Sequence, residues 1–131
     1  MNADILGTWM IQNVAGEDVL EHIRDEIGSM VPEDRCMETK LVFEEAFVNV
    51  ILYAYKDEPD RKKRKAWVIF SRLNEMEYQI DLYDNGQEFD TTKYEFEERE
   101  IGGHGIQIMR SLSRDMAYKR EGDINHLIIV L

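Results

Sequence analysis

Cysteine is all but missing from this chain. Its one thiol, Cys36, allows neither an intrachain disulfide nor a cysteine-based metal cluster, and it fits a reducing compartment. Proline is almost as scarce, with two residues, and glycine supplies eight, which excludes a fibrous or linker-like chain. No long apolar run occurs. The most apolar stretch, 41–55, is interrupted by Glu44, Glu45 and Asn49 and is shorter than the roughly 20 apolar residues that cross a bilayer. The start, Met1-Asn2-Ala3-Asp4-Ile5, has neither the basic end nor the apolar centre of a signal peptide, so a cytoplasmic protein is expected. Basic residues are outnumbered by acidic ones, 16 against 27, for a net charge of −11. Phosphates are repelled by most of such a surface, which argues against a general nucleic-acid or anionic-membrane binder and suits a basic protein partner. A free nucleotide, itself an anion, would need a local explanation.

What the chain does contain is enough to build one core. Its 131 residues are 44% hydrophobic and 10% aromatic, which implies a single domain over 1–131 that buries about two-thirds of its unfolded surface. The patterning predicts a strand at 9–14, then a helix from Gly16 carrying Val19, Leu20, Ile23, Ile27 and Met30 as one stripe, ended by Gly28-Ser29. Pro32 suits the first turn of a second helix that runs to about Tyr55. Strands come next at 66–73 and 77–84, then a polar loop at 85–101, a helix at 106–113, and two closing strands near 116–120 and 125–131 joined at Gly122-Asp123. The order β-α-α-β-β-loop-α-β-β implies hairpins. The expected fold class is therefore α+β, a two-layer sandwich whose mixed, mostly antiparallel sheet carries its helices on one face.

Three features of this layout suggest chemistry. On a helical wheel Leu41, Val42, Glu45, Val48, Asn49 and Leu52 share a stripe, and the opposite face is apolar too, which places Glu45 and Asn49 inside the protein one turn apart. A buried carboxylate must be met by something. Either it joins a structural network with an arginine or backbone, or the helix lines a pocket. In a pocket Asn49 ligates a metal or polar ligand and Glu45 orients or deprotonates a group. Mg²⁺ suits such a pair, since it takes one or two protein oxygens and keeps water and phosphate. Asp84 falls in phase with Tyr78, Ile80 and Leu82, so it points to the buried side at a strand end before Asn85-Gly86. It either builds an ordinary turn or accepts a hydrogen bond from the amino group of a base, with Gly86 making room for the ring. Gly102, Gly103 and Gly105 precede a helix, where backbone N–H groups hold phosphate oxygens without any need for a basic protein. His104, among them, has no partner histidine at a ligand spacing and reads as a loop residue.

Taken in order, Glu45-Ala46-Phe47-Val48-Asn49, Asp84-Asn85-Gly86-Gln87-Glu88-Phe89 and Gly102-Gly103-His104-Gly105-Ile106 resemble the N, G1 and G2 boxes of the histidine-kinase-like ATPase superfamily. Within it the chain is most similar to the small bacterial anti-sigma-factor serine kinases, a resemblance that covers nearly its whole length. The resemblance implies the Bergerat fold, with ATP and Mg²⁺ as ligands. It implies that Asn49 coordinates Mg²⁺, that Asp84 reads the adenine amino group beside Gly86, that Gly102, Gly103 and Gly105 form the phosphate loop, and that Glu45 is the general base for a partner's serine hydroxyl. The function it implies is phosphorylation of an antagonist protein together with sequestration of a sigma factor. The alternative is an ATP-dependent partner-binding switch of the same fold that transfers no phosphate. A homodimer is expected from the same resemblance.

Three positions depart from that pattern. Tyr53 stands for the usual His, Arg114 for a frequent Asp, and Ile128 for a frequent Thr that supports the adenine end. The loss of polar contacts at Ile128 predicts binding weaker by about 1–2 kcal/mol, roughly tenfold. Arg99 and Arg110 are the candidate cations for the phosphates, beside a lid, 87–101, that is rich in glutamate. Charge is also segregated. Outside the run Arg61, Lys62, Lys63, Arg64 and Lys65 the chain keeps 11 basic against 27 acidic side chains, a net −16. The run itself reads as a solvated loop, or else as a dock for an acidic partner.

Overall fold

The computed structural model describes residues 3–12, 17–93 and 104–131. Five strands form one sheet: β1 (Asp4–Gln12), β2 (Lys65–Arg72), β3 (Tyr78–Asp84), β4 (Asp115–Glu121) and β5 (Ile124–Val130), in the order β1-β2-β3-β5-β4. Each of the four pairings is antiparallel, so the sheet lacks the mixed component that was expected. The connections explain two of the four. Short links join β2 to β3 and β4 to β5 as hairpins, and a hairpin can only return antiparallel. Three helices, α1 (Glu17–Ser29), α2 (Glu33–Asn49) and α3 (His104–Leu112), lie on one side of the sheet.

The sheet's pleat sorts its residues. Ala66, Val68 and Phe70 of β2, Tyr78, Ile80 and Leu82 of β3, and Leu127 and Ile129 of β5 point under the helices and are buried. They meet Leu20, Ile23 and Ile27 of α1, Val42, Phe43, Ala46 and Phe47 of α2, and Ile106 and Met109 of α3 in one core. Two polar side chains share the inward phase at the strand ends, Asp84 of β3 and Asn125 of β5, and the register sets them opposite each other.

Element boundaries have recognisable causes. β1 starts at Asp4, five residues before the predicted start, because its whole length pairs with β2 across a bulge between Ile5 and Gly7. Pro32 caps α2, and Glu33 and Asp34 place negative charge at the positive end of its dipole. α1 ends at Ser29, whose hydroxyl donates to the Glu26 carbonyl at 2.6 Å. The β4–β5 turn has Gly122 at φ 58°, a backbone region that glycine enters freely. No helix among the described residues is long and apolar enough to cross a membrane.

α2 departs from expectation at its end. Regular α-helix stops at Asn49, and the chain continues as one π-helical turn, Val50–Ala54, closed by the Tyr55 amide donating to the Val50 carbonyl at 3.1 Å. A π turn widens the helix by one residue and re-aims the side chains beyond it. Tyr55 is thereby turned inward and buried, and its hydroxyl donates to the Lys65 carbonyl at the start of β2.

Candidate functional site

The end of α2 and the end of β3 meet. The Gln87 amide donates to the Ala54 carbonyl at 2.8 Å, and the Gln87 side chain donates to the Tyr53 carbonyl at the same distance. Gly86 lies flat against this turn. A Cβ added there would sit 2.4 Å from the Ala54 carbonyl oxygen, with Ala54 carbon atoms at 2.7 and 2.8 Å. Gly86 is therefore required by the protein's own backbone, and the room it makes is filled by the π turn. Gly86→Ala is expected to cost about 1–3 kcal/mol in chemical denaturation, since backbone cannot give way as a flexible side chain does. Unchanged stability would mean that this contact is not tight.

Asn49 is the last α-helical residue and is 2% exposed. Its Nδ2 is buried and has no hydrogen-bond partner among the described residues. An unmet buried amide group costs about 1–3 kcal/mol, and protein interiors seldom keep one without a use. Glu45, one turn earlier, is only half-buried. The wheel set it mid-stripe, but the packed face of α2 runs through Val42, Phe43, Ala46, Phe47 and Val50, which puts Glu45 at its margin. Burial, and then the neighbouring Glu44, hold its carboxyl above the usual range. Asn49 and Glu45 thus share one helical face, with one inside and the other at the rim.

Asp84 is where the strand phase put it, 4% exposed at the end of β3. One oxygen, Oδ1, accepts from the Gly86 amide at 2.9 Å and from Asn125 Nδ2 at 2.8 Å. Burial pushes the carboxyl up, while those two donors and the more distant Arg120 pull it back down. Oδ1 serves the turn and Oδ2 has no hydrogen bond within the described residues, so both expected roles, turn-building and ligand acceptance, are available to the one carboxylate.

Asn125 was not foreseen, although the sequence carries its signal. It alternates in phase with Leu127 and Ile129, as Asp84 does with Ile80 and Leu82. The register also corrects the expectation at Ile128. That residue pairs with Asp81 and lies on the face away from the helices, whereas the polar neighbour of Asp84 is Asn125. The tenfold weakening predicted from Ile128 therefore has no structural basis.

The surroundings are braced by further contacts. The Tyr53 ring stacks on Phe89, centroids 4.7 Å apart at 16°, clasping the chain that leaves Gly86 to the π turn. Arg110 of α3 donates to the Thr91 and Thr92 carbonyls at 3.0 and 2.9 Å, so its guanidinium ties α3 to that same chain. Arg114 pairs with Glu77 at 3.5 Å. In the basic run, Asn85 grips the Lys63 carbonyl and the Lys65 amide at 2.8 and 2.9 Å, and Arg64 donates to the Glu58 carbonyl and lies over the Tyr55 ring. Arg61, Lys62, Lys63 and Lys65 stay exposed, so the loop is solvated except for a structural Arg64. Gly102, Gly103 and Arg99 lie outside the described residues. Gly105 is the second residue of α3, and His104 opens that helix.

The fold and site together define a two-layer α+β protein with buried polar side chains gathered where a helix end meets a strand end. The family model for the histidine kinase-like ATPase domain matches residues 17–131, and the chain belongs to that family. No curated protein matches the sequence.

Proposed function

We propose that this protein binds Mg·ATP between the end of α2, Asp84 and the start of α3, and transfers the γ-phosphate to a serine of a partner protein. Family membership supports the nucleotide. The observation that carries the site is the buried amide of Asn49 at the end of α2, unpartnered among the described residues. Its O and N positions are interchangeable by a rotation of the amide, so the same side chain can present an oxygen to a cation. Asp84, with one oxygen committed to the protein and the other open, suits an exocyclic amino group.

In this reading Asn49 holds Mg²⁺, with Gly102, Gly103 and Gly105 lending backbone donors to the phosphates. The cation, when bound, neutralises charge on the phosphate oxygens. Glu45 stands at the rim, where an incoming hydroxyl can reach it. It takes the hydroxyl proton as the oxygen attacks the γ-phosphorus. The bond from that phosphorus to the β–γ bridging oxygen breaks, and ADP leaves with the bond's electron pair. The partners in this proposal are an antagonist protein, which is phosphorylated, and a basic sigma factor, which the acidic surface sequesters; the protein acts as a homodimer. The test is incubation with γ-labelled ATP, Mg²⁺ and the antagonist. Labelled serine is expected. ATP binding without any transfer would leave the non-catalytic switch, and no ATP binding would end the nucleotide reading.

Asp84 gives a pH test. Its folded pKa is raised, so the folded protein holds its proton more tightly than the unfolded chain. Stability is therefore lost as pH rises through that raised pKa, and charged Asp84 is a cost at neutral pH. Asp84→Asn keeps an Oδ1 for both donors. It is expected to hold or raise the melting temperature while losing most Mg·ATP affinity. In the parent, affinity is expected to fall on acidification with a midpoint above the ordinary aspartate value of about 3.9. Full affinity in Asp84→Asn would remove Asp84 from the site.

A further inference from the structure

Asn125 has spent everything it has. Its Nδ2 donates to Asp84 Oδ1 at 2.8 Å and to the Gln87 carbonyl at 2.7 Å. Its Oδ1 accepts from the Tyr118 hydroxyl and from Arg120 at 2.8 Å. Two donors and two acceptor sites are the whole inventory of a carboxamide, so the amide's orientation is dictated by its neighbours and none of it is left for a ligand. Arg120 reaches further. The same nitrogen that binds Asn125 also donates to the Gly86 carbonyl at 3.1 Å. A single guanidinium from β4 therefore anchors both supports of Asp84: the amide that donates to it and the turn whose N–H donates to it.

The consequence is chemical. Asn125 can only offer its N–H to Asp84 while Arg120 and Tyr118 occupy its oxygen. With Oδ1 filled by two donors and a positive charge one residue away, Asp84 is left with Oδ2 as an acceptor that cannot donate. Among nucleobases, an acceptor there matches an exocyclic amino group, as in adenine, and opposes a carbonyl oxygen, as in guanine. The ionisable groups nearby are Arg120 and Tyr118 from β4, Tyr55 beyond the end of α2 with Arg64 over its ring, and Glu88, with Asp57, Glu58, Lys63 and Asp123 around the roughly 400 Å³ cavity next to Gly86. Arg120 is the one of these that holds Asn125 and the Gly86 turn together.

We propose that Arg120, acting through Asn125 and the Gly86 turn, is the positioning residue that keeps Asp84 a pure acceptor and so sets the preference for an adenine over a guanine nucleotide. This rests on reading the site as a nucleotide site. Arg120→Gln keeps hydrogen-bond donors and removes the charge, and Arg120→Lys restores the charge. The parent and both variants are titrated calorimetrically with Mg·ATP and with Mg·GTP from mildly acidic to mildly alkaline pH. The Asp84 carboxyl is followed by carbon NMR in the nucleotide-free proteins.

In Arg120→Gln the Asp84 titration is expected to move to higher pH. The ratio of ATP to GTP affinity is expected to fall about tenfold at the acid end of that range and to recover as the pH rises, with Arg120→Lys close to the parent. A purely structural Arg120 would instead weaken both nucleotides equally at every pH and leave Asp84 titrating as in the parent, and that result overturns the inference while ATP binding stands. A parent that binds no adenine nucleotide overturns the nucleotide reading and this inference with it.

Discussion

Asn49→Ala is expected to abolish Mg·ATP binding while leaving the fold nearly as stable as before. The two halves of that expectation come from one observation. A buried structural asparagine is hydrogen-bonded, and its removal strands its partners at a cost of about 1–3 kcal/mol. The Nδ2 of Asn49 has no partner to strand among the described residues, although it is at the core end of α2. Truncation loses some packing and also removes an unmet polar group, so the net change in unfolding free energy should stay within about 1 kcal/mol. Affinity responds differently. If the amide is the protein's hold on the cation, its loss should weaken Mg·ATP by about a hundredfold, and more than it weakens ATP in the absence of Mg²⁺. Calorimetry with and without the metal, next to a denaturation curve, reads both. Parental affinity for Mg·ATP would remove Asn49 from the site, and a large loss of stability would return it to a structural role.

Glu45→Gln carries the second large effect, and it separates catalysis from binding. Glu45 lies at the rim of the packed face of α2, half-buried, with no ion pair to any described residue. A carboxylate placed there is not needed for packing, and in the proposed reading it does not hold the nucleotide. The glutamine variant is expected to bind Mg·ATP as the parent does and to transfer phosphate about 10²–10⁴-fold more slowly, the usual worth of a general base. The pH profile gives an independent reading. Burial and the Glu44 charge raise the Glu45 pKa, so the parental rate should fall as pH drops through a value above that of an ordinary glutamate, and the variant should lose that limb of the profile. A glutamine variant that transfers at the parental rate would mean that the hydroxyl loses its proton elsewhere.

Much of the fold was legible because it rests on alternation and helical period. Tyr78, Ile80 and Leu82 marked the inner face of β3, and Val19, Leu20, Ile23 and Ile27 marked α1 as a helix. The same reasoning placed Asp84 inside, because a polar residue in an apolar phase is an anomaly that the pattern itself exposes. Glu45 was less legible. A wheel assumes one buried direction, and α2 has apolar residues all round, so only the packed neighbours decide which side is core. The π turn was not legible at all. Val50-Ile51-Leu52-Tyr53-Ala54 is good helical sequence, and its last carbonyls, those of Tyr53 and Ala54, are taken by the side chain and amide of Gln87, more than 30 residues on in the chain.

The sequence by itself determined the α+β class, the two hairpins, the inward aspartate and the family's motif order, because each depends on neighbours near in the chain. Only the tertiary structure decided that Asn125 and not Ile128 stands beside Asp84, that Gly86 makes room for Ala54, and that Arg120 ties the two supports of Asp84 together. Those depend on strand register and on a helix end meeting a strand end more than 30 residues away, and no local pattern encodes which residues such a meeting brings face to face.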